Sequence, residues 1–336
     1  MKIVNQKTRE IVGGRSGKRI RTRRPGLGIR YLMLSEDTAV NVPMIRASIS
    51  SLFTKHLTGQ HDQKKHGGED SLLAQYNLPR SSKRGLDSFV EIYGPNNAKR
   101  LLDFFSGYKH SSGVTSRIAF IDIFNGDPSM KVQFIKNGKI IGRARREFGG
   151  PESVEHSFLI LNTEYRGSGL GTDFVGASEN AYRKAGIEII ELEATDAVGG
   201  YAWAVMGYDF MNDVSNKRVV SGMQDLCKNL GAPIPKDESH AYELAAMVVP
   251  YKPEMGEILT KTFNRLESES YTYEGSYRTQ TFKYIRRMIR EAIPGKPFNL
   301  GKAYMLTSSW RAYKDLQNKG QQMVGDKFFA SHKKKI

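Results

Sequence analysis

The sequence has little cysteine and no long apolar run, and each absence limits what the protein can be. Cys227 is the only cysteine among 336 residues, which excludes an intramolecular disulfide framework and a metal centre built on several cysteines. No stretch approaches about 18 uninterrupted apolar residues, so no membrane-spanning helix is expected. No apolar run follows Lys2, so we expect no cleaved secretory signal. Together these features favour a reducing compartment and predict a cytoplasmic protein.

Acidic residues are also scarce. Asp and Glu total 35 against 51 Lys and Arg, which gives a formal net charge of +16. The excess lies in the flanks, because residues 1–114 hold 20 basic and 9 acidic side chains and residues 216–336 hold 21 and 12. Residues 115–215 hold 10 basic and 14 acidic side chains. Hydrophobic residues make up 39% of the chain, enough for a sizeable core, so wholesale disorder is excluded.

The densest positive charge lies within the first thirty residues, where interspersed glycine and proline oppose a helix. The cluster consists of Arg15, Lys18, Arg19, Arg21, Arg23, Arg24 and Arg30. Such a basic arm attracts phosphate groups through counterion release, so nucleic acid is an expected partner of the flanks. A solvated terminus without a dedicated partner explains the same composition. Both interpretations stay open, and we expect residues 1–114 to be partly disordered.

Residues 115–215 carry alternating strand and helix patterns, which predict a mixed α/β domain. Asn137-Gly138 is typical of the tight turn in a β-hairpin. Strands are expected at 117–124, 130–136, 139–148, 155–161 and 187–195, and helices at 172–185 and 199–206.

The two flanking regions are predicted to contain helices. Residues 88–108 predict one or two helices, broken at Gly94-Pro95, and residues 44–57 predict another. Residues 216–336 predict a mostly helical region, with helices at 241–248, 254–267, 279–293 and 308–318. We therefore expect three parts, namely 1–114, 115–215 and 216–336.

A glycine-rich segment between the strand at 155–161 and the helix at 172–185 is the most informative motif. Its sequence is Asn162-Thr163-Glu164-Tyr165-Arg166-Gly167-Ser168-Gly169-Leu170-Gly171-Thr172. Glycines let the main chain approach a ligand closely, and the free N–H groups of a first helical turn attract an anion such as a pyrophosphate. The segment is not a Walker A loop, and Thr172 departs from the dinucleotide fingerprint. A plain tight turn is the alternative.

At this loop the sequence resembles the GNAT family of acetyl-CoA-dependent N-acetyltransferases, whose acyl-CoA loop has the form Arg/Gln-x-x-Gly-x-Gly/Ala. Arg166, Gly169 and Gly171 match that form. The segment Met206-Gly207-Tyr208-Asp209-Phe210 resembles the step that closes the family's following helix. The resemblance covers about residues 115–215. It implies a GNAT-like acyl-CoA-binding core with a mixed sheet and acetyl-CoA as cosubstrate.

The resemblance also implies which residues would hold acetyl-CoA. In the family, two parallel strands splay apart, and the pantetheine inserts between them while the loop surrounds the pyrophosphate. The residues that correspond in this sequence are Leu159, Ile160, Leu161, Arg166, Gly167, Ser168, Gly169, Leu170, Gly171, Thr172 and Asp196.

The candidate catalytic residues depart from the family pattern. Trp203 occupies the position where the family often has a tyrosine as general acid, and an indole N–H is not a comparable acid. Tyr201 is then the candidate acid. Glu155 and Glu193, on neighbouring predicted strands, are candidate bases for removing a proton from the amine. A glutamate in such a position is more often a solvated or paired strand residue than a base.

Two further segments bear on partners. Residues 59–67 resemble a short His-Asp/Asn-Gln-Lys-x-His-Gly segment of bacteriophage head-associated proteins, which implies a phage-encoded protein in a bacterial host, with phage head proteins as partners. His56, His61 and His66 are five residues apart and would diverge on a helix, so no metal site is expected. Near the C-terminus, tyrosines alternate with arginines. That pattern is compatible with base stacking or with an amphipathic helix that has a solvated basic face.

We therefore expect an acetyl-CoA-dependent N-acetyltransferase that acts on an unidentified amine. The alternative is a non-catalytic GNAT-fold protein, associated with virions or nucleic acid, that keeps the fold without turnover. The complete glycine loop favours the enzyme, whereas Trp203 favours the alternative.

Overall fold

A computed structural model describes residues 72–194, 199–269 and 275–333, together with four short strands within residues 1–34. The predicted helix at 44–57, the phage-like segment 59–67 with the nearby histidines, and Asp196 lie outside the described residues. The chain divides into two compact units. The first comprises residues 1–107, 116–133 and 147–151, and the second comprises residues 108–115, 134–146 and 152–336.

The first unit combines a small sheet, a long helix and three antiparallel strand segments. The small sheet has the order β2-β1-β3-β4 and consists of β1 (Lys2–Asn5), β2 (Glu10–Gly13), β3 (Lys18–Arg23) and β4 (Ile29–Leu34). A 3-10 turn (Arg80–Ser82) leads into helix α1 (Lys83–Gly107). The other strands are β5 (Thr115–Phe124), β6 (Asp127–Lys136) and β7 (Lys139–Gly150), in the order β7-β6-β5.

Aromatic side chains hold α1 in the core of this unit. The ring of Phe89 lies 4.8 Å from that of Phe148 on β7, centroid to centroid, in an edge-on arrangement. Tyr93 Oη donates a hydrogen bond of 2.7 Å to the carbonyl of Gly150. The break predicted at Gly94-Pro95 is confirmed, because Gly94 has a φ of 70° inside α1. That positive φ interrupts the helical conformation and turns the second half of α1.

The second unit packs helices around a sheet with the order β10-β13-β9-β8-β7-β6. Its strands and helices are β8 (Ser153–Leu161), α2 (Leu170–Lys184), β9 (Ile189–Ala194), α3 (Gly199–Val205), β10 (Asp209–Phe210), α4 (Asp213–Leu230), α5 (Ala241–Ala245), β11 (Val249–Pro250), α6 (Pro253–Glu269), α7 (Gly275–Arg290), β12 (Pro297–Phe298), α8 (Leu300–Met305), β13 (Trp310–Asp315) and α9 (Lys319–Lys333). β8 and β9 are parallel, whereas β13 is antiparallel to both β9 and β10. The predicted mixed α/β class is confirmed.

Local sequence patterns predicted most elements of residues 115–215. The hairpin between β6 and β7 turns at Asn137 and Gly138, whose φ values are 51° and 74°, as a type I′ turn requires. Helix α2 begins and ends within two residues of the predicted helix at 172–185. The predicted strand at 187–195 and helix at 199–206 correspond to β9 and α3.

The helix predicted at 308–318 is wrong, because Trp310–Asp315 form the strand β13 between β9 and β10. Trp310, Ala312 and Lys314 are buried and alternate with more exposed residues. Lys314 Nζ donates to both carboxylate oxygens of Glu179 on α2, at 2.9 and 2.8 Å. Lysine normally marks an exposed position, so this buried ion pair conceals the period-two pattern. The sheet therefore includes residues from beyond position 215.

Residues 216–333 are mostly helical, from α4 through α9. Asn212 caps α4 by accepting a hydrogen bond of 2.9 Å from Ser215 N, and Gly231 ends the helix in the left-handed conformation. Cys227 is buried in α4. Among the described residues, no helix has both the length and the apolar character needed to cross a bilayer.

Candidate functional site

The parallel strands β8 and β9 part within the second unit. Their register extends from Ser153↔Ile189 to His156↔Leu192, yet β8 continues to Leu161 and β9 to Ala194. The exposure of β8 changes at the same point, since Val154 and His156 are buried whereas the side chain of Ile160 is 45% exposed. The end of β8 therefore has no register partner in β9.

The opposite side of that strand end is held firmly by β7. A Cβ at Gly142 on β7 would lie 2.6 Å from the Leu161 side chain and 2.7 Å from the Ile160 carbonyl. The Asn162 N–H donates a hydrogen bond of 2.9 Å to the Ile141 carbonyl. The close approach requires glycine at position 142, and it fixes the end of β8 from one side while β9 diverges from the other.

The glycine loop follows β8 directly, and two of its side chains donate hydrogen bonds to nearby main-chain carbonyls. A 3-10 turn (Thr163–Tyr165) opens the loop, and Gly167 and Gly169 have φ values of 75° and 82°. Ser168 Oγ donates to the Tyr165 carbonyl at 2.7 Å, and Arg166 Nε donates to the Leu161 carbonyl at 2.8 Å. The side chains of Ser168 and Arg166 are thus directed at main-chain carbonyls of the loop and of the end of β8.

The loop ends at an N-terminus of α2 that no side chain caps. Gly169 is the N-cap residue, and no side chain there accepts a hydrogen bond from the helix. The N–H groups of the first turn have no acceptor within the helix, and the helix dipole adds positive potential. A Cβ at Gly171 would lie 3.1 Å from the Leu159 side chain, so the helix start packs against the end of β8. These donors fit a diphosphate.

One acidic residue, Asp173, lies in the first turn of α2. Its Oδ2 lies 3.3 Å from Nε2 of His110, a buried histidine. The carboxylate is therefore directed towards His110 and does not cap the first-turn N–H groups.

A row of polar residues runs across one face of the sheet from β10 to β8, near the point where β8 and β9 separate. Asp209, Tyr313, Glu191 and Glu155 are consecutive register partners on β10, β13, β9 and β8. Paired residues project to the same face at about 4.8 Å per strand. Burial raises the pKa of Glu191, and the nearby positive charge of a β13 arginine opposes that rise.

Glu193, a predicted base, lies one row further on the same face. Its register partner on β13 is Arg311. Glu193 is exposed, and it lies just beyond the last register pair between β8 and β9. Glu155, the other predicted base, is half-buried and belongs to the register itself. The structure therefore places both glutamates on the same face of the sheet, near the point where β8 and β9 separate.

The predicted acid and its neighbour on α3 lie in different surroundings. The Lys302 ammonium lies 5.5 Å from the centroid of the Tyr201 ring. Trp203 packs edge-on against Tyr208, with 4.9 Å between ring centroids, and lies 6.1 Å from the ring of His156. Trp203 and Tyr201 are both half-buried, but Trp203 packs against core rings whereas Tyr201 lies beside Lys302 on α8.

His156 lies on the opposite, buried face of β8. Its Nε2 is 3.1 Å from the Tyr182 hydroxyl. Burial, assisted by the positive charge of Arg146, holds the pKa of His156 well below its usual range. The imidazole is therefore neutral at physiological pH and belongs to the core of the unit.

The sequence did not indicate a pair formed by Asp209 and His240. His240 Nδ1 lies 2.5 Å from Asp209 Oδ2, while Asp209 Oδ1 accepts hydrogen bonds from the N–H groups of Phe210 and Ala241. The His240 side chain is 49% exposed, and its ring stacks on Tyr242 at 4.9 Å. An oriented, accessible imidazole of this kind can transfer protons. No local pattern predicts the pair, because its members are 31 residues apart.

Comparisons with known proteins give matches to solved structures only. No protein-family model matches the sequence. No curated protein matches it either. The matching structures include a GNAT family acetyltransferase from Elizabethkingia anophelis with acetyl-CoA bound, with 13% identity over 25% of this chain and 56% of that chain and a TM-score of 0.23.

Two further matches are similar in kind. Tetrahymena GCN5 is 24% identical over 22% of this chain and 48% of its own, with a TM-score of 0.21. Aminoglycoside 6'-acetyltransferase type Ii is 20% identical over 25% of this chain and 57% of its own, with a TM-score of 0.22. The chain thus spans about half the length of the solved structures that it matches. At these TM-scores the likeness carries no argument about the function of this chain.

Proposed function

We propose that this chain binds acetyl-CoA at the end of β8 and transfers the acetyl group to an amine. The observation that carries the proposal is the parting of two parallel strands beside an uncapped helix N-terminus. The open strand end offers main-chain hydrogen bonds to an extended amide chain, and the helix start offers N–H groups to a diphosphate. Coenzyme A carries both of these groups.

The main chain of Leu159, Ile160 and Leu161 is the proposed partner of the pantetheine amides. The Ile160 carbonyl is directed towards Gly142 on β7, and the Leu161 carbonyl already accepts a hydrogen bond from Arg166. We therefore expect the Leu159 main chain and the Leu161 N–H to contribute most of the pairing.

The N–H groups of residues 167–172 would surround the diphosphate, whereas the Arg166 N–H already donates to the Thr163 carbonyl at 3.2 Å. Asp196, in the segment after β9, stays a proposed contact.

Acetyl-CoA supplies an activated thioester carbonyl when it is bound. The attacking amine must lose a proton, and Glu193 is the proposed base because it is exposed beside the parting of the strands. Glu155, on the same sheet face, is the second candidate. Tyr201 is the proposed donor of a proton to the leaving thiolate. A cationic acceptor suits this face, because its carboxylates attract positive charge.

A non-catalytic acyl-CoA-binding protein is the second candidate function. The packing of Trp203 against Tyr208 favours it, because an indole packed against a core ring occupies the position where the resemblance leads us to look for a proton donor. Binding of acetyl-CoA is common to both candidates, so binding and turnover need separate tests.

Substitution of Thr172 tests binding without disturbing the helix. Thr172→Glu places a negative charge in the first turn of α2, where glutamate stabilises the helix but repels a diphosphate. We expect the Kd for acetyl-CoA, measured by calorimetry, to rise about tenfold. The neutral control Thr172→Gln should bind like the native chain. Absence of binding to the native chain, or equal weakening by both substitutions, would contradict the proposed site.

Turnover is then measured by thiol release from acetyl-CoA with a panel of polyamines and lysine-containing peptides. Release that depends on a cationic amine supports the transferase. Binding without release from any acceptor favours the non-catalytic alternative.

A further inference from the structure

A cavity of about 870 Å³ lies between α6 and α7, away from the glycine loop in sequence. The four charged side chains that line it are all cationic, and two tyrosines lie beside them. These six residues are Lys283, Arg286, Arg287, Arg290, Tyr251 and Tyr284. The volume is typical of a ligand-binding cleft.

The positive charge of this cavity is only partly neutralised by neighbours. Arg286 Nη1 pairs with Glu267 at 2.6 Å, and Arg287 lies 3.9 Å from Glu291. Lys283 and Arg290 are exposed, and no carboxylate among the described residues forms a salt bridge with either. The cavity therefore keeps an excess of positive charge that attracts a polyanion.

The Tyr284 ring is held in place by cations. Its hydroxyl accepts a hydrogen bond of 2.6 Å from Lys302 Nζ, which also lies 4.9 Å from the ring centroid. The Arg287 guanidinium lies 5.4 Å from the same centroid. A ring fixed in this way at the edge of a cationic cavity offers a π-face on which a flat aromatic group can stack.

The Tyr251 ring is fixed by a different contact. Its hydroxyl lies over Gly256 on α6, where a Cβ would be 2.6 Å from that oxygen. Thus both aromatic side chains of the cavity are anchored.

We propose that this cavity binds single-stranded nucleic acid, an activity beyond the proposed acetyl transfer. Lys283, Arg287 and Arg290 are one helical turn apart along α7 and would contact successive phosphates, while a base stacks on Tyr284. An acidic peptide would use the cations but not the rings. A duplex is wider than a cleft between two adjacent helices.

The test measures fluorescence anisotropy of a labelled oligonucleotide of about 12 nucleotides with the full chain, since single-strand sites span about 4–16 nucleotides. The double variant Lys283→Gln/Arg290→Gln should raise Kd about tenfold at about 0.1 M salt and reduce the salt slope by about 1.4, because each lost phosphate contact lowers it by about 0.7. The matched control Lys296→Gln/Lys319→Gln removes equal charge from exposed residues outside the cavity.

Stacking is tested by Tyr284→Leu, which should weaken oligonucleotide binding by about tenfold. The control Tyr242→Leu removes an aromatic ring outside the cavity and should leave oligonucleotide binding unchanged. Both double variants and both tyrosine variants should keep the native affinity for acetyl-CoA. Equal loss in the two double variants, no loss in Tyr284→Leu, or equal competition by duplex DNA or polyglutamate would overturn the proposal.

Discussion

At the residue scale, Glu193 is distinguished from the other carboxylates of its sheet face by exposure and by its place beside the parting of β8 and β9. Glu193→Gln should lower kcat for thiol release about a hundredfold and leave the KM for acetyl-CoA unchanged, because general base catalysis contributes about 10²–10⁴-fold. Glu188→Gln, an exposed glutamate just before β9, is the control. If Glu193→Gln keeps full activity and Glu155→Gln loses it, Glu155 is the base.

The buried imidazole of His156 gives the protein a defined pH dependence of stability. Its pKa in the folded chain is well below 6.5, whereas the unfolded chain titrates near 6.5. Between the two values the unfolded state binds more protons, so the free energy of unfolding falls as the pH falls below about 6.5, by up to about 1.4 kcal/mol per pH unit. Urea denaturation between neutral pH and about pH 5 measures this slope.

His156→Gln removes the titrating group and provides the comparison. The variant should have a shallower acid slope than the native chain, even if it is less stable at neutral pH. Identical slopes in both proteins would show that His156 does not remain neutral in the fold.

At the element scale, the break in α1 depends on one main-chain conformation. Gly94 has a φ of 70°, and a Cβ there would meet no atom within 4 Å, so an alanine would be strained without being crowded. Gly94→Ala should therefore lower the free energy of unfolding by about 1–2 kcal/mol. Gly107→Ala, at the end of the same helix and also in open space, should be close to neutral. Chemical denaturation measures the free energy of unfolding of both variants. Equal effects of the two substitutions would contradict the requirement for glycine at position 94.

Elements with a local pattern were predicted well, and β13 was not. The Asn137-Gly138 turn and the helix α2 are specified by residues next to each other in sequence. In β13, the buried position of Lys314 depends on Glu179, which is 135 residues away. A pattern based on local polarity therefore predicts an exposed position where the fold has an ion pair.

At the scale of the whole molecule, the sheet of the second unit depends on a strand supplied late in the chain. A chain that ends at Ser309 would lack β13, which pairs with both β9 and β10. It would also leave the Glu179 carboxylate buried without Lys314, and removal of one partner of a buried pair costs about 3–5 kcal/mol. We expect this truncated chain to lose cooperative thermal unfolding and acetyl-CoA binding. A chain that ends at Lys333 is the control. If both truncated chains unfold cooperatively with the same midpoint temperature, the sheet does not depend on β13.

The features of the candidate site also fall into those with a local sequence signal and those without one. The order of residues alone determined the glycine loop, the uncapped start of α2 and the hairpin before it, because glycine conformations and helix caps depend on near neighbours. Only the tertiary structure decided where β8 and β9 part, which glutamates meet on one face, and that Asp209 orients His240. Those features require groups far apart in the chain to be brought together by strand pairing and burial, and no local pattern encodes which distant partner each will find.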